Sequence, residues 1–274
     1  MFIPSNIEEK GLQTLQFNQE VGVGSHLQAA ARAERIDSPI TKALGTRRGK
    51  MLARMMKLLF RGNMDKLMDY AAIRPYAIME AIRIALGDYP ENKTVIDPAA
   101  GYSPELYWLA HEYPDTDFVE LDIHEVIEAK RAAFYPHGIP ENLRLRPVDL
   151  SRQKLHQVQP EPVDVMVVLA AYVSHIDFRS ALAYLSYFIP HGGYLIVPFP
   201  YLPGVDHFTD NSYIFSKLVS TPAGILTDES DLDKIFKGSN FTLCQTIKLS
   251  DFAEREGRPV PADIELIAIA QHTV

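Results

Sequence analysis

A chain of 274 residues with 47% hydrophobic and 23% charged side chains has the make-up of a folded globular protein, which excludes a predominantly disordered one. A formal net charge of −8 argues against nucleic acid or an anionic membrane as the main partner, and the lone Cys244 excludes an intrachain disulfide and a thiolate metal site. No apolar run approaches the ~20 residues that span a bilayer, and Met1-Phe2-Ile3-Pro4-Ser5 lacks a secretory pattern, so a cytoplasmic protein is expected. Residues up to about 86 carry helical patterning and no convincing strand. Ser25 is a candidate cap for a helix through Ala29-Ala30-Ala31 that stops before Ser38-Pro39. The basic cluster Thr46-Arg47-Arg48-Gly49-Lys50, continuing to Arg54 and Lys57, reads as a solvated helix start. Met, Leu and Phe at helical spacing over 50–60 predict a second helix, stopped by Arg61-Gly62-Asn63. Leu67, Tyr70, Ile73, Ala77, Ile78, Ala81, Ile82 and Ala85 trace a third that ends at Gly87-Asp88, and Pro75 should bend or start it. The methionines here (Met51, Met55, Met56, Met64, Met68) read as core or lid packing, not a metal box.

From Lys93 the period changes. Strands are predicted over 94–96, 118–121, 143–148, 163–169 and 194–197, with helices over 103–113, 124–134 and 177–189 between them. Strand–helix alternation predicts parallel pairing with right-handed crossovers. The tail breaks this rhythm: 241–249 and 264–270 are strand-like, with no helix-length apolar pattern between them. They should pair as a long-looped hairpin at one edge. The fold expected is therefore α/β: a Rossmann-like, seven-stranded, mostly parallel sheet with an antiparallel C-terminal hairpin strand. Residues 1–90 form a helical cap or lid, and 91–274 the ligand-binding domain, with an aromatic-rich insertion at about 200–228 that roofs an apolar pocket.

Sheets of this type bind ligands beyond the carboxyl ends of their strands, where strand order reverses. After the first strand comes Asp97-Pro98-Ala99-Ala100-Gly101, whose small residues admit close approach to the backbone; a tight turn built for packing needs the same residues. After the second comes Glu120-Leu121-Asp122-Ile123. Asp122 is placed to accept from two ribose hydroxyls, or, with Glu125 three residues on, to form a capping box. After the third, Asp149 and Leu150 suit the amino group and face of an adenine, although Asp149 also suits a helix cap at 151. The fourth ends in Leu169-Ala170-Ala171-Tyr172, whose small residues leave room across the strand tip. Three loops each suited to a different part of one adenosyl group are the combined signal.

The stretch from Ile73-Arg74-Pro75-Tyr76-Ala77 through Lys130-Arg131 resembles the leucine carboxyl methyltransferase-like family of class I S-adenosylmethionine-dependent methyltransferases. That family includes O-methyltransferases of polyketide and other specialised metabolism. Ala30-Ala31-Arg32-Ala33-Glu34 with Asp37-Ser38-Pro39 resembles its N-terminal helix, and the likeness spans roughly residues 28–200. The resemblance implies S-adenosylmethionine as cofactor: Arg74 on its methionine carboxylate, Ala99 and Gly101 along its amino-acid portion, Asp122 on the ribose, Asp149 with Leu150 on the adenine. Asp97, Ile123 and Ala170 complete the expected cofactor contacts. Without the resemblance, Arg74 reads as a surface arginine. The chain departs from the family at Ala99, where glycine is usual, at Ser103-Pro104-Glu105 in place of Asp-Thr-Arg, and at Leu169-Ala170 in place of Glu-Gly, so the family's protein substrate is not carried over.

The implied reaction is methyl transfer to a carboxylate or hydroxyl of a small molecule. A hydroxyl acceptor needs a base, for which His175 is placed after the fourth strand; its other reading is packing or capping. No metal, nucleic-acid or membrane partner is expected, and the oligomeric state is open. Two further readings stand beside this one: a non-catalytic or non-methylating protein that binds an adenosyl ligand, and a nicotinamide-dependent oxidoreductase. Pro104 argues against the latter, because it stands where the dinucleotide fingerprint needs its third glycine.

Overall fold

The structure, a computed structural model, describes residues 3–14, 23–59, 64–168, 178–201, 226, 228–259 and 264–274. Its strands are β1 (Thr94–Pro98), β2 (Asp117–Asp122), β3 (Leu143–Pro147), β4 (Val165–Val167), β5 (Tyr194–Pro200), β6 (Phe241–Lys248) and β7 (Glu265–His272). They form one seven-stranded sheet in the order β3-β2-β1-β4-β5-β7-β6. The first five pair in parallel, in registers such as Ile96 opposite Val119 and Met166. β7 runs antiparallel to both β5 and β6, so the expected reversed strand near one edge is present. The order turns back between β1 and β4, the position at which sheets of this type take ligands beyond their carboxyl ends.

Alternation along each strand feeds two separate cores. Val95, Phe118, Val165 and Ile269 face one, which holds α5 (Met64–Leu86), α6 (Glu105–Glu112) and α7 (His124–Phe134). Ile96, Val119, Met166 and Ala268 face the other, against Phe178 and Leu182 of α8 (Phe178–Leu185). β-Branched side chains buried on both faces explain why the central strands read as continuous apolar runs. Ahead of the sheet lie α1 (Ser5–Thr14), α2 (Val23–Arg35), α3 (Pro39–Leu44) and α4 (Arg47–Leu59).

Several expectations need correction. Ser25 does not cap α2, which already begins at Val23; its hydroxyl is instead the nearest atom that a side chain at Gly101 would meet, 3.9 Å away. Pro75 does not start α5 but lies inside it. An internal proline costs about 3 kcal/mol. Each fully buried Ile or Leu contributes about 1.5–3 kcal/mol; Ile78, Ile82 and Leu86 are all fully buried, so packing outweighs the break. Strand β4 is shorter than expected, and between β6 and β7 there is a short helix, Leu249–Arg255, that buries Leu249, Phe252 and Ala253. Two turns are too few to leave a periodic signal in sequence. Among the methionines, Met68 is buried, whereas Met51 and Met55 are exposed on α4 beside the exposed Arg47, Arg48, Lys50 and Arg54. The basic cluster is thus a solvated helix start.

Candidate functional site: the carboxyl edge of the sheet

The loops after β1, β2 and β3 are bonded to one another. Ala99 N–H and Ala100 N–H donate to the Leu121 carbonyl at 2.8 and 3.2 Å, and Val148 N–H donates to the Asp122 carbonyl at 2.7 Å. Asp122 is the central tie. Its Oδ2 accepts from Gly101 N–H at 2.6 Å and its Oδ1 from Ile123 N–H at 2.7 Å. Burial raises its pKa, and these two N–H groups oppose the rise. Helix α7 starts at His124 with no side-chain cap, so the capping-box role expected of Asp122 as an alternative is not what this side chain does. A carboxylate offers about four acceptor directions, so two main-chain donors leave room for two more hydrogen bonds.

The β1 loop turns through the left-handed region at two residues, Ala99 (φ 80°) and Gly101 (φ 57°). Gly101 is the residue type such a turn favours. Ala99 is not, and its backbone is strained. Three polar groups around this loop are buried without a hydrogen-bonding partner: Asp97 Oδ1, Ser103 Oγ and both carboxylate oxygens of Glu105. Buried polar atoms are nearly always satisfied, so a cluster of unsatisfied ones around one loop leaves hydrogen-bonding capacity there for water or a ligand. Burial and the neighbouring Glu120 push the Asp97 carboxyl well above the usual carboxylate range. Beneath the loop, Glu120 and Lys130 are fully buried with 2.6 Å between Oε2 and Nζ. Burial also raises the Glu120 pKa, against the pull of Lys130.

Asp149 sits beside the Val148–Asp122 tie. Its Oδ1 accepts from Ser151 N–H at 3.0 Å and from the Ser151 hydroxyl, and its Oδ2 lies 3.2 Å from Arg152 Nε. It closes a turn; no helix begins at 151, so the helix-cap alternative is corrected to a side-chain turn. Leu150 is buried next to it, and Ile123 is half-buried at the start of α7. Ala170 and His175 lie outside the described residues.

Arg74 is buried, which overturns the surface reading. Its Nε donates to Glu265 Oε1 at 2.8 Å, and the Tyr70 hydroxyl donates to Oε2 of the same carboxylate at 2.9 Å. Burial works against the guanidinium charge, yet Glu265, followed by Tyr70, more than offsets it and holds the Arg74 pKa above its ordinary value. Glu265 is the first residue of β7 and pairs with Pro200 at the end of β5, so this cluster also belongs to the carboxyl edge. A second arginine, Arg32 of α2, is equally buried and donates to the Tyr102 carbonyl at 3.1 Å. Burial lowers its pKa; Glu105 opposes that and Arg74 adds to it. Burial also pushes the Tyr102 hydroxyl up to about 12.

The N-terminal helices cover this loop. The Tyr102 ring lies 5.4 Å from that of His26, whose Nδ1 is 2.9 Å from Thr46 Oγ1 at the start of α4. Burial, then the Arg48 charge, lowers the His26 pKa. The sequence reading missed Arg32, Tyr70, Glu105, Lys130 and Glu265. A charged residue inside an otherwise apolar or alanine-rich element (Glu120 in β2, Arg32 after Ala29-Ala30-Ala31) was the available signal, because burial of a charge requires a partner. Among the described residues, no group of three His, Cys, Asp or Glu side chains could hold a metal ion, and no helix is long and apolar enough to cross a membrane.

No protein-family model and no curated protein matches the chain. Solved structures do. A DUF574 family protein from Streptomyces avermitilis superposes with a TM-score of 0.61 at 14% identity, covering 95% of this chain and 99% of that one. Magnesium protoporphyrin IX methyltransferase from Synechocystis, solved with bound SAH, gives 0.54 at 14% identity, over 86% of this chain and all (100%) of that one. An O-methyltransferase family 2 protein from Planctomyces limnophilus, in complex with apigenin, gives 0.51 at 16% identity, over 84% of this chain. The present chain spans 65% of that protein's length. At such identities the likeness establishes the fold: a Rossmann-like methyltransferase fold.

Proposed function

We propose that this chain is an S-adenosylmethionine-dependent methyltransferase, with residues 1–90 capping a cofactor-binding domain of 91–274 and an oxygen of a small molecule as the acceptor. One observation carries the reading: Asp97, Ser103 and Glu105 present buried, unsatisfied polar atoms on the loop that Asp122 ties down at the carboxyl edge of the sheet. These residues fit the amino-acid and ribose parts of an adenosyl ligand. Asp122 holds Gly101 and keeps acceptor capacity for ribose hydroxyls; Ala99 and Gly101 bring backbone close to the amino-acid part. Leu150 and Ile123 cover the adenine edge, with Asp149 beside them. Arg74, seated on Glu265, answers the methionine carboxylate, and Ala170 is assigned to the cofactor on its small size in the sequence.

Bound S-adenosylmethionine supplies a methyl group on a cationic sulfur that leaves as a neutral thioether. The protein's work is to hold the acceptor in line and to exclude water, which the helices roofing Tyr102 favour. A carboxylate acceptor needs no base. For a hydroxyl acceptor we assign the proton to His175. The names of solved neighbours that act on or hold small molecules (magnesium protoporphyrin IX, apigenin) support a small-molecule acceptor, and the lone Cys244 suits the cytoplasm.

The test is calorimetry with S-adenosylmethionine, S-adenosylhomocysteine and NAD, followed by turnover of labelled cofactor with a panel of carboxylic acids and phenols. Micromolar binding of the two adenosyl ligands, no binding of NAD and label transfer to an acceptor are expected. Binding of NAD alone would make the chain an oxidoreductase. Adenosyl binding with no transfer to any acceptor would favour a non-methylating binder.

A further inference from the structure

Helix α4 turns to solvent a face that the cofactor site does not use. Its inner face is packed. Ala53 is buried with Leu27 and Ala30 of α2, and a side chain at Gly49 would stand 2.0 Å from the His26 carbonyl oxygen, so the two helices lie very close there. The outer face carries Met51, Met55 and Leu58 at 56, 50 and 73% exposure. Steps of four and three residues put these side chains in one line along the helix. Arg47, Lys50 and Arg54 flank that line on one side and Arg48 on the other, all of them exposed. The helix holds five of the chain's 27 lysines and arginines and none of its 35 acids. Lys57 pairs with Glu34; among the described residues the other four form no ion pair. A net charge of −8 for the whole chain therefore hides a local charge of opposite sign.

An apolar line between two rows of unpaired cations fits a surface that is anionic outside and apolar beneath. We propose that α4 docks this protein on an anionic lipid surface, lying in the headgroup plane with Met51, Met55 and Leu58 sunk toward the acyl chains. The long arginine and lysine stems let their charges rise to the phosphates while the apolar side chains go down. Every side chain on the line is exposed by half or more, so no groove wall stands beside it to seat a segment of another protein. A lipid surface needs no such wall. The acidic remainder of the chain is repelled by the same surface, which fixes the orientation with α4 toward the lipid. His26 joins the start of α4 to the Tyr102 ring, so docking sets the cap of the candidate site against the membrane.

The test is co-sedimentation of the full chain with two kinds of vesicle: phosphatidylcholine alone, and equal parts phosphatidylcholine and phosphatidylglycerol. Each lysine or arginine near an anionic surface adds about fivefold to partitioning. Wild type should bind the anionic vesicles about tenfold or more above the neutral ones, and less at high salt. Arg47→Gln/Lys50→Gln/Arg54→Gln should lose that preference. Met51→Ser/Met55→Ser/Leu58→Ser keeps every charge, and should still lower binding to anionic vesicles by about tenfold or more. Both variants replace exposed side chains and should melt as wild type does. Wild type left in the supernatant with anionic vesicles at low salt overturns the proposal without any variant. A charge variant that binds undiminished overturns it too, and so does a serine variant that binds undiminished, which would mark adsorption by charge alone. Sedimentation velocity covers the remaining occupant: a wild-type dimer that the serine variant abolishes, with no vesicle binding, would give this face to a second copy of the chain and overturn the lipid assignment.

Discussion

Removing the Asp122 carboxylate tests the junction on which the site is built. In Asp122→Ala, Gly101 N–H loses an acceptor at 2.6 Å and Ile123 N–H one at 2.7 Å. A hydrogen bond to a charged group contributes about 1.5–3 kcal/mol net. Asp122 is half-buried, so the lower end of that range applies, and two bonds give a loss of about 3 kcal/mol. For a chain of this size that corresponds to a fall of about 6–12 °C in Tm, read by calorimetric or fluorescence melting. Binding should suffer separately. The ribose loses its acceptor and the Gly101 turn loses its anchor, so S-adenosylhomocysteine affinity should drop more than tenfold. Asp122→Asn keeps the shape but only one accepting oxygen, and should fall between wild type and alanine in both measurements. A folded Asp122→Ala protein with undiminished affinity would refute the ribose assignment. One with an undiminished Tm would refute the argument that this side chain holds the two loops together.

Three further outcomes follow from the buried charges and the strained turn. Lys130→Met leaves Glu120 buried without its cation, and should cost about 3–5 kcal/mol in urea unfolding, most of it recovered in Lys130→Met/Glu120→Met; a single-variant loss below about 1 kcal/mol contradicts the pairing. Asp97 has its pKa raised in the folded state by burial and then by Glu120, so the native protein holds a proton that the unfolded chain has released. Its contribution is therefore full below the ordinary carboxylate pKa and is lost as pH rises from there toward the raised folded value. Asp97→Asn should flatten that decline, and an unchanged pH profile of unfolding would count against it. Ala99→Gly relieves a positive φ worth about 1–2 kcal/mol but adds about 0.5–1 kcal/mol of chain entropy, so a net gain of up to about 1.5 kcal/mol is expected; a loss of stability in urea would show that the turn is not strained.

What was legible in the sequence follows from what is local. The short strand-like runs Thr94-Val95-Ile96 and Phe118-Val119-Glu120-Leu121 and the acids at strand ends locate the sheet and three loops, because a strand's pattern and its terminating residues lie within a few positions of each other. The reversed β7 was readable because the helical rhythm stops before it. What was hidden depends on distant pairing. Arg74 and Tyr70 meet Glu265 across more than 190 residues of chain, and nothing near Arg74 announces a partner on the last strand. Asp122 was readable as a capping box or a ribose ligand, but not as the clamp on Gly101, since the bond spans two loops that only the parallel registers bring together. Of the two readings of Pro75, the start of a helix fails because helix rules describe an isolated segment, whereas this one continues through the proline and is held by Ile78, Ile82 and Leu86 in the core.

The most direct measurement is a crystal structure of the protein with S-adenosylhomocysteine. Ribose hydroxyls within hydrogen-bonding distance of Asp122, the adenine against Leu150, and the amino-acid end between Glu105 and Arg74 are the arrangement expected. A ligand bound anywhere other than the carboxyl edge of β1, β2 and β4, or lying with its amino acid away from the 97–105 loop, would contradict the account.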